Sequence, residues 1–282
     1  MAVPFMDLAR AHASLSAEIL EDLAAVIDTG AFVNGPAVAR FEEAFAADTG
    51  VARCVGTASG LDALRIALLA AGLERDDEVI VPAMTFVATL EAVTQAGGVP
   101  VVADIQEADL NLDPDAAAAA VNGRTRFVLP VHLYGQLADT GRLASLGLPL
   151  IEDACQAPGA VRDGRRAGSG GLAAAFSFYP AKNLGAMGDA GALLTDSDEL
   201  ADRALALREH GQRRKYEHES EGFTARLDTL QAVVLLRKLP LLEGWNDERR
   251  AIASRYLEAL DGVGDLRTPL MPAGSEPVWH LF

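Results

Sequence analysis

The sequence is poor in cysteine and in basic residues, and each shortage excludes a class of protein. Its 282 residues hold two cysteines, Cys54 and Cys155, too few for a disulfide framework or a cysteine metal site. We expect both to be small buried side chains. The 24 lysines and arginines stand against 40 acidic residues, and a net charge of −16 argues against a uniform cationic face for nucleic acid.

Membrane and secretion signals are also missing from the printed residues. No apolar run is long enough to cross a bilayer, and the first residues show no basic segment followed by an apolar one. A cytoplasmic protein without a membrane partner is therefore the expectation. Half of the residues are hydrophobic, which suffices for one large core or a large domain with part of a second.

Short apolar runs alternate with helical patterns up to Asp198. Most of these runs are continuously apolar, which is typical of strands buried on both faces. The clearest helix places Leu61, Leu64 and Leu68 on one face. The alternation predicts an α/β domain with a mostly parallel sheet. The predicted strands are 78–81, 99–103, 126–129, 149–151, 174–178 and 190–195.

Helical periodicity takes over beyond Asp198. It runs through Leu239 and resumes over residues 241–260, with Pro240 predicting a break between the two helices. The last residues, 277–282, resemble the start of a strand with nothing after it to pair with. We therefore expect the natural protein to be longer.

An acid and a lysine carry the strongest chemical signal. Asp153 ends an apolar run, and Lys182 follows in a glycine-rich loop. This order fits a pyridoxal phosphate (PLP) site, where the lysine forms the Schiff base and the acid keeps the pyridinium nitrogen protonated. Gly185, Gly188 and Gly191 leave the loop without side chains, so we expect a bulky ligand to approach it. A solvated loop lysine and a helix-capping acid are the plain alternatives.

Further candidates for such a site come from the ends of other elements. Ser59 and Gly60 begin a helix and offer free N–H groups to a phosphate, although an ordinary capping box reaching to Asp62 is the alternative. Ser177 adds a hydroxyl to the phosphate in this interpretation. Phe86 either stacks on a flat heterocycle or belongs to the core. A metal site is not expected, because no histidine lies near these residues in sequence.

A basic segment stands out in the acidic chain. It predicts either a site for an anionic group of a substrate or a solvated loop. Arg226 follows at the head of the next helix. The segment contains Arg208, Arg213, Arg214, Lys215, Tyr216 and His218.

In order along the chain, these segments resemble the DegT/DnrJ/StrS family of PLP-dependent nucleotide-sugar aminotransferases. The resemblance runs from Phe5 to Phe282. The segments that carry it are 30–36, 41–42, 77–86, 131–135, 152–153, 176–184 and 226–232.

The resemblance implies a fold and a reaction. The fold is that of aspartate aminotransferase (PLP fold type I), with residues 1–238 as the PLP-binding large domain and 239–282 as the beginning of a smaller α+β domain. It implies a homodimer with shared active sites. L-glutamate would supply the amine and a nucleotide-linked keto-sugar would receive it. Residues 182–191 look closest to members that make dTDP-linked 3-amino-3,6-dideoxyhexoses; a C-4 aminotransferase is an alternative.

Residue roles follow from the same resemblance. Lys182 and Asp153 are catalytic. The phosphate is held by Ser59, Ser177 and the backbone of Gly60 and Leu61, Phe86 stacks on the ring and Gln156 lies beside its oxygen. Thr224 replaces an asparagine that reaches the partner subunit's phosphate, and Pro158 replaces a usual histidine. Substrate contacts are expected from Phe32, Tyr134, Lys215, Tyr216 and Arg226.

Two other functions remain open from the sequence. A related dehydratase replaces the lysine by histidine, so Lys182 argues against it. A non-catalytic PLP-binding, sensory or truncated fragment is the other, and intact Lys182 and Asp153 argue against a decayed site.

Overall fold

The structure is a computed structural model that describes residues 6–282. The α-helices are α1 (Leu8–Ala13), α2 (Ser16–Thr29), α3 (Pro36–Thr49), α4 (Gly60–Ala70), α5 (Ala88–Gln95), α6 (Pro114–Ala120), α7 (Thr140–Ala144), α8 (Asp198–Arg208), α9 (Thr229–Lys238) and α10 (Leu242–Leu260). The strands are β1 (Arg53–Thr57), β2 (Glu78–Pro82), β3 (Val99–Ala103), β4 (Thr125–Val128), β5 (Ile151–Asp153), β6 (Val161–Arg162), β7 (Arg165–Arg166), β8 (Ala173–Ser177), β9 (Gly191–Thr195), β10 (Gln212–Arg214), β11 (Glu217–His218) and β12 (Ser275–Glu276).

The main sheet is mostly parallel, as the sequence predicts. β2 pairs in parallel with β3 and β4, and β8 pairs in parallel with β5. Parallel bridges from Val128 to Leu150 and from Val131 to Asp153 connect these two groups. β9 is antiparallel to both β1 and β8. The strand order is therefore β1-β9-β8-β5-β4-β2-β3.

Strand β8 shows how the two faces of the sheet are covered. Ala174 and Phe176 pack in a core cluster with residues of α3 and α9. Ala173 and Ala175 pack in a second cluster with α4, α5 and α8. Successive side chains of a strand point to opposite faces, so Ser177 lies on the face that α4 covers.

Four phenylalanines form the centre of the first core cluster. Phe41 and Phe45 of α3 are stacked, and the edge-to-face distances from Phe45 to Phe176 and Phe178 are 5.1 and 5.2 Å between ring centroids. All four side chains are buried. Edge-to-face pairs of this kind stabilise beyond the area they bury, so the cluster fixes the end of β8 on both sides of Ser177.

Two predictions for the second half of the chain are wrong. Residues 209–228 are not helical, because the β10–β11 hairpin and extended segments interrupt the predicted helix. Residues 277–282 are not the start of a strand. Pro277 has no N–H to donate, and Trp279 has a left-handed φ of 43°, so the segment cannot continue the pairing of β12.

One other expectation for this region, the break at Pro240, is confirmed. A 3₁₀ turn at Leu239–Leu241 separates α9 from α10 at Pro240. The domain boundary at residue 238 stays a prediction. No helix among residues 6–282 is both long and apolar enough to span a membrane.

We expect Phe45→Ala to lower the free energy of unfolding by about 3–5 kcal/mol, because it removes a buried ring that contacts three others. Urea denaturation of the cofactor-free protein measures the change. Phe86→Ala is the matched control, since Phe86 is 67% exposed and should change stability by less than about 0.5 kcal/mol. Equal losses from the two substitutions would contradict this account of the core.

Candidate active site

A cavity of about 580 Å³ opens at the carboxyl ends of β5 and β8. Ligands of α/β sheets bind at this edge, because loops and helix starts converge there. We call it the central cavity. All of the predicted cofactor-binding residues except Thr224 line it: Ser59, Gly60, Leu61, Phe86, Asp153, Gln156, Ser177 and Lys182.

Asp153 lies at the end of β5 and is buried. Its Oδ2 accepts a hydrogen bond from Thr89 Oγ1 at 2.7 Å, and its Oδ1 accepts one from the Cys155 N–H at 3.2 Å. Thr89 Oγ1 also lies 2.6 Å from Thr85 Oγ1. Donors on both oxygens hold the carboxylate in one orientation at the wall of the central cavity.

The first turn of α4 forms another wall. Ser59 is its N-cap, and Ser59 Oγ accepts a hydrogen bond from the Asp62 N–H at 3.1 Å, as a capping box predicts. The N–H groups of Gly60 and Leu61 have no partner within the helix, and both residues face the central cavity. A Cβ on Gly60 would lie 2.7 Å from the Ser177 Cβ. Only glycine therefore lets the helix start approach β8 this closely.

Lys182 follows β8 in a tight loop. Its N–H donates to the Tyr179 carbonyl at 2.8 Å. The sequence predicts that the glycines of this loop make room for a ligand, but they are needed for close packing within the protein. A Cβ on Gly185 would meet the Pro180 carbonyl oxygen and one on Gly188 the Gln231 side chain, so these glycines accommodate the protein itself.

A buried hydrogen-bonded pair, Glu152 and His132, lies directly behind Asp153. Glu152 accepts a hydrogen bond from His132 Nε2 at 2.6 Å and others from the N–H groups of Gly168 and Gly170. Burial raises the pKa of Glu152, but these hydrogen bonds outweigh it and hold the pKa below its usual value. His132 Nδ1 accepts from the Ala138 N–H, which places the imidazole proton on Nε2. The pair anchors the strand end that carries Asp153.

Sequence reasoning missed His280 as a cavity residue. His280 and Leu281 line the central cavity. Burial, with the nearby positive charges of Lys182 and Arg249, lowers the pKa of His280 to about 3. Among the described residues its Nδ1 has no hydrogen-bond partner. The only sequence signal near His280 is the aromatic character of residues 277–282, and that pattern predicts a strand rather than a cavity wall.

Tyr134 stands one layer behind the cavity wall. Its N–H donates to Gln156 Oε1 at 2.6 Å, and its carbonyl accepts from the His280 N–H at 2.8 Å. Its φ of 56° places it in the left-handed region. Tyr134 therefore positions two cavity residues through its backbone.

The remaining predicted substrate residues lie outside the central cavity. Lys215 lines a second cavity of about 870 Å³ beside the hairpin, and Tyr216 is 81% exposed. Thr224 Oγ1 pairs with His210 Nε2, and Arg226 pairs with Glu209. Phe32 is 47% exposed.

Two expectations about other side chains need correction. Arg208 is buried and pairs with Glu42 and the Gly56 carbonyl, so it is not free to hold a substrate anion. Cys54 and Cys155 are free thiols, and each is half-buried as a whole residue rather than fully buried. Cys155 lines the central cavity, and burial of its sulfur raises the thiol pKa.

The sheet order, with an acid and a lysine facing one cavity at its carboxyl edge, is the architecture of a fold-type-I PLP enzyme. The profile of the DegT/DnrJ/EryC1/StrS aminotransferase family matches residues 13–282, and the chain belongs to this family. Its enzymes are PLP-dependent transaminases, and PLP is the cofactor.

Curated relatives agree over the whole chain. It is 46% identical to dTDP-3-amino-3,4,6-trideoxy-alpha-D-glucose transaminase of Streptomyces venezuelae, over 99% of this chain and 75% of that protein. It is 45% identical to the erythromycin biosynthesis sensory transduction protein EryC1 of Saccharopolyspora erythraea, over 100% and 78%. It is 42% identical to a UDP-N-acetyl-3-dehydro-alpha-D-glucosamine 3-aminotransferase of Acidithiobacillus ferrooxidans, over 100% and 77%.

Solved structures show the same fold. The structure of S. venezuelae DesV in complex with a ketimine intermediate superposes with a TM-score of 0.97 at 46% identity, covering 99% of this chain and 76% of that one. NtdA from Bacillus subtilis with bound cofactor PMP superposes with a TM-score of 0.92 at 36% identity, covering 99% and 66%.

The residues present fit the cofactor. The central cavity combines a helix N-terminus with unpaired N–H groups, a cradle that the absence of a Cβ on Gly60 creates, a buried carboxylate and a lysine. The helix N-terminus suits the phosphate of PLP, and the buried carboxylate suits its ring nitrogen.

Lys238, at the end of α9, is buried and donates to the Gly185 carbonyl and to His12 Nε2. Burial lowers its pKa to about 8 from the ordinary 10.5. Between these values the unfolded chain binds the extra proton, so folding becomes more favourable as pH rises.

We therefore expect the free energy of unfolding of the wild type, relative to Lys238→Met, to increase between pH 8 and pH 10.5. Urea denaturation across this range measures it. Lys215→Met, at an exposed hairpin position, should show no such trend. If the difference in unfolding free energy between wild type and Lys238→Met stays constant with pH, the lowered pKa of Lys238 is contradicted.

Proposed function

We propose that this protein transfers the amino group of L-glutamate to a nucleotide-linked keto-sugar, with a dTDP-3-keto-6-deoxyhexose as the first candidate acceptor. The observation that carries the proposal is that Lys182 and Asp153 face one cavity in a chain of this family. The names of its relatives support the acceptor class, because they include dTDP-sugar and UDP-sugar aminotransferases at 46% and 42% identity. A cytoplasmic enzyme remains the proposal for location.

When bound, PLP supplies an electron sink that lowers the barrier to breaking a bond at the amine-bearing carbon. Lys182 would hold the cofactor through its amine and would carry the proton at that carbon. Asp153, oriented by Thr89 and the Cys155 N–H, pairs with the protonated ring nitrogen. These two residues carry the chemistry in this proposal.

The other cavity residues bind and orient. The N–H groups of Gly60 and Leu61 bind the phosphate at the positive end of α4, and Ser59 and Ser177 add hydroxyls. Phe86 covers one face of the ring. Gln156 lies beside the ring oxygen, with its own Oε1 held by the Tyr134 N–H.

The residues outside the central cavity suggest a second copy of the chain. We propose a homodimer in which Phe32, Thr224, Arg226 and the hairpin residues Lys215 and Tyr216 contribute to the site of the other subunit. Their exposure or position at a separate surface supports this arrangement. Thr224 keeps a hydroxyl but is shorter than asparagine, so a bridging water would complete its contact with the phosphate.

A non-catalytic PLP-binding protein is the second candidate. The observation that favours it is the name of EryC1, a sensory transduction protein 45% identical to this chain. A non-catalytic role for this chain predicts that it binds the cofactor but does not transfer an amino group. Amino transfer from glutamate measured directly therefore separates the two.

We expect Lys182→Ala to abolish transamination and the long-wavelength absorbance band of lysine-bound PLP. The sequence holds three lysines, Lys182, Lys215 and Lys238, so borohydride reduction followed by peptide mapping identifies the attachment point directly. Lys215→Ala should keep the band. Labelling of any lysine other than Lys182, or turnover in Lys182→Ala at the wild-type rate, would refute the assignment.

We expect Asp153→Asn to lower kcat by roughly a hundredfold or more, because the ring loses the charge partner that favours its protonated form. Stopped-flow measurement of the glutamate half-reaction checks it. Asp115→Asn removes an exposed carboxylate and should leave the rate unchanged. A near-normal rate in Asp153→Asn would exclude this role for Asp153.

A further inference from the structure

One buried amide on α10 connects the loops that surround the central cavity. Asn246 Nδ2 donates to the Pro158 carbonyl at 3.0 Å, and Asn246 Oδ1 accepts from Asn183 Nδ2 at 2.9 Å. Asn183 Nδ2 also donates to the Val278 carbonyl at 2.8 Å. We call this pair of side chains, Asn183 and Asn246, the amide bridge.

The amide bridge joins three segments that each supply cavity residues. Pro158 lies in the turn that follows Asp153 and carries Gln156. Asn183 is adjacent to Lys182, and Val278 precedes His280 by two residues. One side chain from α10 therefore holds together the loop of Lys182 and the turn that follows Asp153.

Burial makes these hydrogen bonds strong constraints. Asn246 is 0% exposed and Asn183 is 5% exposed. Asn246 uses both its Nδ2 and its Oδ1, whereas Asn183 Oδ1 has no hydrogen-bond partner among the described residues. A buried amide with partners specifies a single arrangement of its neighbours, so Asn246 is the stronger constraint of the two. The backbone leaves space for it, because a Cβ on Gly159 would lie 2.8 Å from Asn246 Nδ2.

The loop that carries Lys182 is stiff, so a constraint at Asn183 reaches Lys182. The N–H of Lys182 donates to the Tyr179 carbonyl, and the N–H of Ala186 donates to the Phe178 carbonyl at 2.7 Å. Gly185 packs against Pro180, and its carbonyl accepts from Lys238. Displacing Asn183 therefore moves the whole loop rather than one side chain.

We propose that Asn246 is a positioning residue, which sets the placement of the Lys182 amine relative to Asp153 through the amide bridge. The inference rests on the proposed roles of Lys182 and Asp153. It assigns to α10, beyond the predicted boundary of the large domain, a direct part in the geometry of the site.

The test uses Asn246→Leu, which keeps the approximate volume and removes both hydrogen bonds. We expect kcat to fall by roughly ten- to a hundredfold, since a misplacement of about 1 Å is enough for such a loss. KM for the nucleotide sugar should change by less than about threefold, because the bridge does not contact it.

Two further measurements do not depend on turnover. The absorbance of lysine-bound PLP is titrated with pH, and its midpoint should move by at least about half a pH unit when the lysine leaves its place beside the ring. The rate at which the cofactor-free protein captures PLP should also fall.

Asn183→Leu breaks the same bridge from its other end and remains available where Asn246→Leu does not fold. It should give the same changes. The double variant should lose little more activity than either single variant, because two partners of one interaction are not additive. Additive losses in kcat would contradict a single bridge.

Thr195→Val is the matched control. Its hydroxyl is buried and donates to the Leu172 carbonyl at 2.8 Å, at the end of β9 far from Gly191. It should lower stability without changing kcat or the titration midpoint. If Asn246→Leu behaves like Thr195→Val, the amide bridge is only structural and the proposal fails.

A measurement on the wild-type protein distinguishes failure of the positioning role from failure of the proposed function. Borohydride trapping at Lys182 in the wild type establishes the site itself. Trapping elsewhere refutes the site and the positioning role together. Normal trapping with unchanged Asn246 variants refutes the positioning role alone.

Discussion

The parallel pairing of β5 with β8 is the constraint on which the site depends. Asp153 lies opposite Ala175, so the carboxyl ends of both strands reach the same edge of the sheet. The chain leaves β8 at Ser177 and returns Lys182 to this edge. A shift of one residue in this register would turn the Asp153 side chain to the other face. The four-phenylalanine cluster and the buried Glu152 both lie on the face opposite Asp153, and they oppose such a shift there.

Local sequence patterns predict which residues carry the chemistry of the site. They do not predict the long-range contacts that hold those residues in place. Asp153 and Ser59 stand at a strand end and a helix start, positions that apolar runs and capping signals reveal. Asn246 gives no such signal, because its contact with Pro158 spans 88 residues of sequence. His280 was misassigned for a related reason: the apolar run around it suggested a strand, while Pro277 and the left-handed Trp279 prevent one.

Three buried polar side chains, Glu152, Lys238 and Asn246, lie behind the central cavity. Each of the three is at most 4% exposed. Lys238 and Asn246 contact backbone carbonyls of loops that line the site, and Glu152 is adjacent to Asp153 and holds the loop before β8. Apolar side chains would fill the same space at a lower desolvation cost. Hydrogen bonds, unlike apolar contacts, are directional, so these residues exchange some stability for fixed loop positions. Sites that need accurate geometry are where such an exchange is expected.

Two aromatic side chains at the mouth of the central cavity are largely exposed to solvent. Phe86 and Tyr179 line the cavity, yet they are 67% and 55% exposed. A ring stacked on Phe86 alone would keep much of its other surface in water. Water around the reacting carbon weakens every electrostatic interaction there. In the proposed homodimer a second surface would close over this mouth, and the exposed Tyr216 and the basic hairpin of the other copy would supply apolar area and positive charge. The exposure of Phe86 and Tyr179 is therefore consistent with the proposed dimer.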